Sequence, residues 1–202
     1  VPVVIVGRRI NVDSFSNVAT DNYLAGVMAG EYLGSIGHKR VATVTGPRIT
    51  QWARDRLDGF RDGLTKYQAQ LEWQYSQTDL PDFETGLAAC DALMADYAGR
   101  ALPTAIWAQN DIIAAAVLKS LTNQGYRVPE DISLLGMDDI QLCTMVTPML
   151  STIHQPLREI AQESIRIIME NEPGAKPQPR RVILTPTLQV RESTAPPIPA
   201  AD

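Results

Sequence analysis

The chain has 202 residues with a net charge of −5, and 45% of its residues are hydrophobic, which is typical of a folded globular protein. No block of Lys and Arg offers an electrostatic surface for nucleic acid, and no apolar run reaches the roughly 18 residues that span a membrane. Two cysteines are present, without metal-ligand spacing, and this scarcity favours a reducing cytoplasm.

Strand-like and helix-like segments alternate from the start of the chain. A short apolar run predicts a strand, and apolar residues three or four positions apart predict the buried face of a helix. The first predicted strands are Val3–Val6, Val41–Thr45 and Trp73–Thr78. The helices that follow them have predicted buried faces of Leu24, Met28, Tyr32 and Ile36, then Ala53, Leu57, Phe60 and Leu64, then Leu87, Cys90, Met94 and Tyr97. We expect Asp21 to cap the first of these helices.

The most informative stretch is the next strand–helix–strand unit. Ala105–Ala108 and Ile132–Leu135 predict strands on either side of a helix that runs from Asp111 to about Gln124 and is ended by Gly125. A β-α-β connection makes its two strands parallel, so the polar residues that follow each strand lie at one edge of the sheet. Open α/β sheets bind ligands at this edge. The alternation therefore predicts a parallel sheet with helices on both faces and a binding site at its carboxyl edge.

The pattern changes towards the end of the chain. We predict a strand at Leu150–His154 and a helix whose first turn contains Pro156. Val182–Val190 predicts one long strand, in which Pro186 marks an edge position or a bulge. The predicted inward face of the helix consists of Leu157, Ile160, Ala161, Ser164 and Ile168.

Several sequence motifs extend over these elements. They read ND at 110–111, GYRVPEDIS at 125–133, GMDD at 136–139, STIHQP at 151–156 and VREST at 190–194. In this order they resemble the effector-binding domain of lac repressor-type (LacI/GalR) transcription regulators, and further matches cover nearly the whole chain. The resemblance implies an α/β fold of Rossmann-like, doubly wound parallel sheets in a type I periplasmic-binding-protein-like architecture. One lobe would be complete and the other partial, with the effector held in the cleft between them.

The resemblance also implies domain boundaries. Residues 1–12 and 148–172 would be remnants of the N-terminal lobe, and residues 13–147 and 173–194 would form the C-terminal lobe. We expect residues 195–202, which are rich in Pro and Ala, to be a disordered tail. The chain does not begin with Met, so we expect a fragment from which the DNA-binding headpiece is absent.

Arg56 is the most telling single charge. It lies between Ala53 and Phe60, on or beside the predicted buried face of its helix, where a long cation needs a partner or a ligand. A guanidinium grips paired oxygens with its planar fork. The resemblance implies that Arg56, which opens an R-x-x-G motif, hydrogen-bonds the effector. The alternatives are a snorkelling side chain or a pair with Asp55 or Asp58.

Polar residues at the predicted sheet edge supply two more candidates. Asn110 and Asp111 stand between a strand and a helix, and we expect Asp111 to cap the helix while the Asn110 amide faces a ligand. Asp138 and Asp139 end the next strand, where a carboxylate can accept hydrogen bonds from two sugar hydroxyls; the alternative is a solvated turn with a helix cap. The resemblance assigns effector contacts to Asn110 and Asp138, and Met137 replaces the usual aromatic residue before the first acid.

Two aromatic residues complete the predicted ligand-binding set. Trp52 lies one turn before Arg56, where its ring either stacks on the apolar face of a sugar or packs over the start of the helix. Phe83 precedes the third helix, in the region where the resemblance implies an aromatic lid.

The sequence contains no motif for a nucleotide, a cofactor, a metal or a nucleophile, so we predict no enzyme activity and no cofactor. The main hypothesis is the effector-binding and dimerisation region of a cytoplasmic LacI-type regulator. It would bind a sugar or sugar derivative, reach operator DNA through the absent headpiece and form a homodimer. Leu142, Met145 and Val146 either form an apolar patch for the partner or pack inside the protein. The alternatives are a periplasmic sugar-binding protein of a transporter and an enzyme that uses Asp138 or Asp139 as an acid or base.

Overall fold

A computed structural model describes residues 3–7, 14–47, 49–76, 82–170 and 178–198. The strands are β1 Val4–Val6, β2 Ser16–Thr20, β3 Arg40–Thr45, β4 Gln70–Ser76, β5 Ala105–Ala108, β6 Ser133–Asp138, β7 Ser151–His154, β8 Arg181–Leu184 and β9 Thr187–Gln189. The helices are α1 Asn22–Ser35, α2 Gln51–Thr65, α3 Phe83–Asp96, α4 Asp111–Asn123 and α5 Leu157–Met169, and a short 3-10 helix covers Gln141–Thr144. No helix in these ranges is both long and apolar enough to cross a bilayer.

The larger sheet has the strand order β4-β3-β5-β6-β7-β9, and all its strands are parallel except β9, which runs antiparallel to β7. One core cluster joins the sheet to α1 and α2 and contains Phe60 and Trp107. A second cluster joins the opposite face to α3 and α4 and contains Leu93 and Ile113. Because successive side chains of a strand point to opposite faces, Trp107 belongs to the first cluster and its neighbour Ile106 to the second. The predicted parallel sheet with helices on both faces is confirmed.

The smaller sheet contains β1, β2 and β8 in parallel, and α5 packs on it through Ile160 and Ile167. Strands β2 and β8 fall within residues 13–147 and 173–194, which the predicted boundaries assign to the larger lobe, yet both pair in the smaller sheet. The prediction of one strand over 182–190 is wrong. The chain leaves the smaller sheet after β8, turns at the buried Pro186, which has no N–H to donate, and joins the larger sheet as β9.

The buried faces of two helices differ from the prediction, whereas the stripe predicted for α2 is buried throughout. On α1, the predicted stripe from Leu24 to Ile36 is half-buried, and the fully buried positions include Ala25, Ala29 and Leu33. On α5, Leu157 and Ile168 are exposed, as is Ala161, and the buried residues are Ile160, Ser164 and Ile167. A spacing of three or four leaves a choice between adjacent stripes, and packing partners that are distant in sequence decide it.

Glycines set the distance between α1 and α2. A Cβ atom added to Gly26 would lie 2.0 Å from the carbonyl oxygen of Arg56, and one added to Gly59 would lie 2.0 Å from that of Tyr23. Gly30 and Gly63 extend this contact, so the two helix backbones touch over more than one turn. The contact holds α2 at a fixed position along α1, and therefore places Arg56 beside the beginning of α1.

We expect Gly59→Ala to destabilise the protein although alanine is the better helix former by about 1 kcal/mol. The new methyl group would meet the Tyr23 carbonyl, and overpacking of this kind costs about 1–3 kcal/mol or more. Urea denaturation measures the change, with the exposed neighbour Asp58→Ala as the control on the same helix. A more stable Gly59→Ala variant would show that propensity, and not helix contact, governs this position.

A buried histidine anchors the end of the described chain. His38 is 1% exposed, and its Nδ1 and Nε2 atoms lie 2.8 Å from the Thr104 hydroxyl and 3.0 Å from the Ala195 carbonyl oxygen. Ser133 also donates to the Ala195 carbonyl, so the predicted disordered tail does not begin at residue 195. Residues 199–202 lie outside the described residues. Burial lowers the pKa of His38 from 6.5 to about 4, so the neutral ring is the form that fits.

The His38 contribution to the free energy of unfolding, taken as the difference between the wild type and His38→Gln, should fall as the pH is lowered from about 6.5 to 4. In this window the unfolded chain binds a proton at His38 that the folded chain resists, and one pKa unit corresponds to about 1.4 kcal/mol, so the loss should reach about 3 kcal/mol. Denaturation at several pH values measures it. In His38→Gln this part of the pH dependence should disappear, and an unchanged pH profile in the variant would contradict the assignment.

Candidate functional site

Arg56 is the centre of the candidate site. Its side chain is buried, with 6% exposure, where α2 passes the beginning of α1 and the carboxyl end of β5. Its Nε atom donates to Asn22 Oδ1 at 2.8 Å, and its Nη1 atom donates to the Gln109 carbonyl oxygen at 2.7 Å. The guanidinium carbon lies 4.9 Å from the centre of the Trp52 ring, which is a cation–π distance. Arg56 is thus held by residues from three segments of the chain.

The local alternatives for Arg56 are not what the structure shows. Asp55 accepts a hydrogen bond from Gln51, and Asp58 lies 3.8 Å from Arg61. Burial lowers the pKa of Arg56 to about 10, and the negative charges of Asp138 and Asp111 oppose that shift. The guanidinium therefore remains charged at neutral pH in a partly desolvated position.

Asp138 supplies the opposite charge at the end of β6. Burial raises the pKa of its carboxyl group to about 6, and the nearby charge of Arg56 opposes the shift. Its backbone has a φ of 122°, which L-residues rarely adopt and which costs roughly 1–3 kcal/mol. Gln155 donates to one carboxylate oxygen through its side-chain amide. A half-desolvated, strained carboxylate beside a buried cation is the arrangement expected of a ligand-binding site.

The roles of Asn110 and Asp111 differ from those predicted. Asn110 is the N-cap of α4, where its Oδ1 atom accepts a hydrogen bond from the Ile113 N–H at 2.7 Å. Asp111 is fully buried and accepts from the Thr152 hydroxyl at 2.7 Å and the Ile140 N–H at 3.0 Å. The prediction that Asp111 caps the helix is therefore wrong, because its carboxylate ties α4 to β7 and to the segment after β6. An effector contact of Asn110 remains a prediction.

Of the two predicted aromatic ligand-binding residues, one lies beside Arg56 and the other lies in the core on the opposite face of the larger sheet. Trp52 is half-buried, covers the Arg56 guanidinium and packs on Gly46, where an added Cβ would come within 2.2 Å of the ring. Phe83 packs in the core on the other face of the larger sheet, with Lys119 over its ring at 5.6 Å. Lys119 lies eight residues into α4, about 12 Å from the sheet edge along the helix. The described contacts thus join Trp52 to Arg56 but give Phe83 a packing position.

Sequence reasoning missed the residues that connect the two sheets at this site. The Gln155 amide donates to Asp138, and its oxygen accepts from the Thr20 hydroxyl at 2.9 Å. Thr20 ends β2 of the smaller sheet, and Gln155 lies between β7 and α5, so both belong to segments that pass from one sheet to the other. The Asp21 N–H also donates to the Leu184 carbonyl oxygen at 2.9 Å in the third such segment. Gln155 was visible within the STIHQP motif, but no local pattern indicates its partners.

The second acid of the pair has other partners. Asp139 accepts from Arg191 at 2.6 Å and lies 3.0 Å from Nδ1 of His154. Its φ of 61° is in the left-handed region, which Asp tolerates better than most residues. These contacts join the end of β6 to β7 and to the segment after β9, which is a structural role for Asp139.

Gln109 is not among the predicted ligand-binding residues, although it directly precedes Asn110. Its side chain is 1% exposed, and neither amide atom has a hydrogen-bond partner, which holds for no other fully buried side-chain polar atom in the described ranges. Such an unpaired buried group costs roughly 1–3 kcal/mol. The residue follows β5 directly and offers its main-chain oxygen to Arg56.

A cavity of about 440 Å³ lies at the beginning of α1, where it is lined by residues of α1, of α2 and of strands β2 and β8 of the smaller sheet. Five of its six lining residues carry polar side chains, and one of them, Asn22, accepts a hydrogen bond from Arg56. None of the five predicted ligand-binding residues lines this cavity; its walls are Thr20, Asp21, Asn22, Tyr23, Asp55 and Ile183. Within the described ranges no three His, Cys, Asp or Glu side chains are grouped so that they could hold a metal ion.

Known proteins are similar in sequence to this chain. Residues 31–194 match the family described as periplasmic binding protein-like domain. The ribose operon repressor of Escherichia coli K12 is 34% identical over 182 residues, which cover 90% of this chain and 54% of the repressor. The HTH-type transcriptional regulator DegA of Bacillus subtilis is 28% identical over 97% of this chain and 57% of its own length. The chain spans about half the length of these curated relatives.

Solved structures share the fold. A LacI family transcriptional regulator from Enterococcus faecium with bound ribose matches with a TM-score of 0.84 and 27% identity, over 96% of this chain and 71% of that chain. The complex of the transcriptional regulator CelR with cellobiose matches with a TM-score of 0.78 and 30% identity, over 94% of this chain and 58% of that chain. The predicted periplasmic-binding-protein-like architecture is confirmed.

We expect Asp138→Asn to stabilise the protein at pH 7 by up to about 2 kcal/mol, and to have little effect near pH 4. The folded-state pKa of Asp138 lies above its ordinary value of 3.8, so the wild type loses stability as the pH rises from about 4 through about 6 and the buried carboxylate becomes charged. Urea denaturation at pH 4, 5, 6 and 7 measures the difference. The exposed Asp91→Asn on α3 is the control, and an equal difference at all four pH values would contradict the assignment.

Proposed function

The chain belongs to the periplasmic binding protein-like domain family, in the form found in LacI-type transcriptional regulators, and we propose that it binds a small polar effector, a sugar or sugar derivative, between its lobes. The observation that carries the proposal is the buried Arg56 beside the half-desolvated Asp138, at the carboxyl edge of a parallel sheet. Relatives with bound ribose and cellobiose favour a sugar as the effector class.

The side chains at this edge suit a hydroxylated ligand. The carboxylate of Asp138 accepts hydrogen bonds from hydroxyl groups, and the fork of Arg56 donates to ring or hydroxyl oxygens. The Trp52 ring offers a flat apolar face beside the guanidinium, and Asn110 at the beginning of α4 adds a neutral amide at the carboxyl edge of the same sheet. In the proposal these four residues contact the effector, and Phe83 stays a weaker candidate because it packs in the core of the opposite face.

Binding at Asp138 would act on the segments that pass between the sheets. Gln155 joins Asp138 to Thr20, so a ligand that recruits the carboxylate changes a hydrogen bond within these segments. An effector that binds one arrangement of the lobes more tightly shifts the population towards it by that difference in affinity. In the full-length protein this shift would control operator binding by a helix-turn-helix headpiece, as the names of the HTH-type relatives suggest. For the lobes we keep the predicted division into residues 1–12 with 148–172 and residues 13–147 with 173–194, except that β2 and β8 belong with the smaller sheet and β7 with the larger one.

Two other functions receive less support. A periplasmic sugar-binding protein shares the fold, but the curated relatives are transcriptional regulators. The same relatives disfavour an enzyme, and Asp139, a predicted acid or base for that reading, is held by Arg191 and His154.

A homodimer remains part of the proposal. Met145 is 71% exposed after the 3-10 helix, whereas Leu142 and Val146 pack partly against the core of the larger sheet. The apolar patch predicted from these three residues is therefore small, and a dimer would need further surface. Equilibrium sedimentation of the full-length protein tests the oligomeric state.

We expect Arg56→Met to weaken sugar binding by roughly 30-fold or more. The variant loses charge-assisted hydrogen bonds to the sugar and leaves Asp138 without a nearby positive charge, and such losses cost several kcal/mol. Titration calorimetry of the full-length protein with ribose, glucose and cellobiose measures the affinities. Arg61→Met on the exposed side of the same helix is the matched control and should bind like the wild type.

Circular dichroism separates lost binding from lost folding in these variants. If a sugar binds the wild type and binds Arg56→Met with the same affinity, the site is misplaced. If none of the three sugars binds the wild type, the proposed effector class is wrong.

A further inference from the structure

The side chain of Gln109 is buried and has no hydrogen-bond partner, in a residue whose main chain contacts Arg56. Its main chain is fully used, since the N–H donates to Val44 at 3.0 Å and the carbonyl oxygen accepts from Arg56 at 2.7 Å. The residue is therefore fixed in place while both polar atoms of its side chain have no partner. A Met or Leu side chain would fill the same space without leaving polar atoms unpaired, so packing gives no reason for an amide here.

The direction of the side chain follows from the strand before it. On β5, Ala105 and Trp107 face the core covered by α1 and α2, and Ile106 and Ala108 face the opposite core. Gln109 continues the first series, and its N–H extends the pairing with β3, so its side chain lies on the Arg56 side of the sheet.

Resting on the proposed function, we propose that the Gln109 amide is an additional ligand-binding group for a neutral polyhydroxylated effector. The amide accepts a hydrogen bond from a hydroxyl group of that effector and donates one to it. An amide suits a hydroxyl because each offers both a donor and an acceptor. It adds no charge between Arg56 and Asp138, so it selects for a neutral group at this end of the ligand. The effector supplies the partners that the free protein lacks.

Gln109→Met separates this role from a structural one. We expect the variant to melt at a higher temperature than the wild type without ligand, because no buried amide is left unpaired. We also expect it to bind the best sugar of the panel about tenfold or more weakly, because the buried hydroxyl then loses its partners. Gln70→Met on the exposed edge strand β4 is the matched control and should change neither quantity.

Monodeoxy analogues of that sugar identify the hydroxyl. For the wild type, removing one particular hydroxyl from the sugar should weaken binding as much as the Gln109→Met change does. Gln109→Met, which lacks the partner of that hydroxyl, should bind this analogue and the parent sugar with equal affinity. If, for every analogue, the loss of binding free energy from the missing hydroxyl simply adds to the loss from Gln109→Met, the proposal is overturned. An unchanged affinity of Gln109→Met for the parent sugar would also overturn it, while a loss in Arg56→Met would still leave the proposed function in place.

A second measurement does not depend on how the variant folds. In ¹⁵N-labelled wild-type protein, the side-chain amide resonances of Gln109, assigned by their absence in Gln109→Met, should move when the sugar is added. Resonances that stay in place at saturation would overturn the proposal. If no sugar of the panel binds the wild type, both the proposed function and this inference are contradicted.

Discussion

The burial of one guanidinium organises this end of the molecule. Arg56 lies on α2, and its hydrogen bonds reach the beginning of α1 and the end of β5. A buried cation is stable only if its donors are matched by acceptors and its charge is balanced. Here the amide oxygen of Asn22 and the carbonyl oxygen of Gln109 accept its hydrogen bonds, and the negative charge of Asp138 favours the charged form. The position of α2 must therefore be set to within a hydrogen-bond length. The glycine contact between α1 and α2 supplies that setting, because backbones that touch leave no room for sliding.

The site combines features that are unfavourable on their own. Asp138 has a strained backbone and a desolvated carboxyl group, and Gln109 has an unpaired amide. The rest of the larger sheet, with helices packed on both faces, holds these groups where they would not otherwise stay. Strain and unpaired groups that persist in a well-packed fold are a sign of a site arranged for a partner. Their concentration at one sheet edge matches the proposed effector site.

The connection between the sheets gives the site a way to act at a distance. Three segments pass between the sheets, and hydrogen bonds join them to one another and, through Gln155, to Asp138. A change at the carboxylate would therefore be felt first in the segments that connect the two sheets. Asp139, with Arg191 and His154, fixes the neighbouring strand ends and keeps this part of the larger sheet rigid.

The sequence by itself determined the parallel sheet with helices on both faces and the edge at which polar residues follow its strands, because strand and helix periodicity and the parallel β-α-β connection are local properties. It also determined the family, through motifs that extend over neighbouring elements. Only the tertiary structure decided that Asn110 and not Asp111 caps α4, that glycines form the inner face of α1, and that 182–190 divides between two sheets. It alone revealed Gln109 and Gln155. The physical reason is that capping choice, helix contact and hydrogen-bond pairing depend on atoms from segments far apart in the chain, such as Thr152 for Asp111 and Thr20 for Gln155.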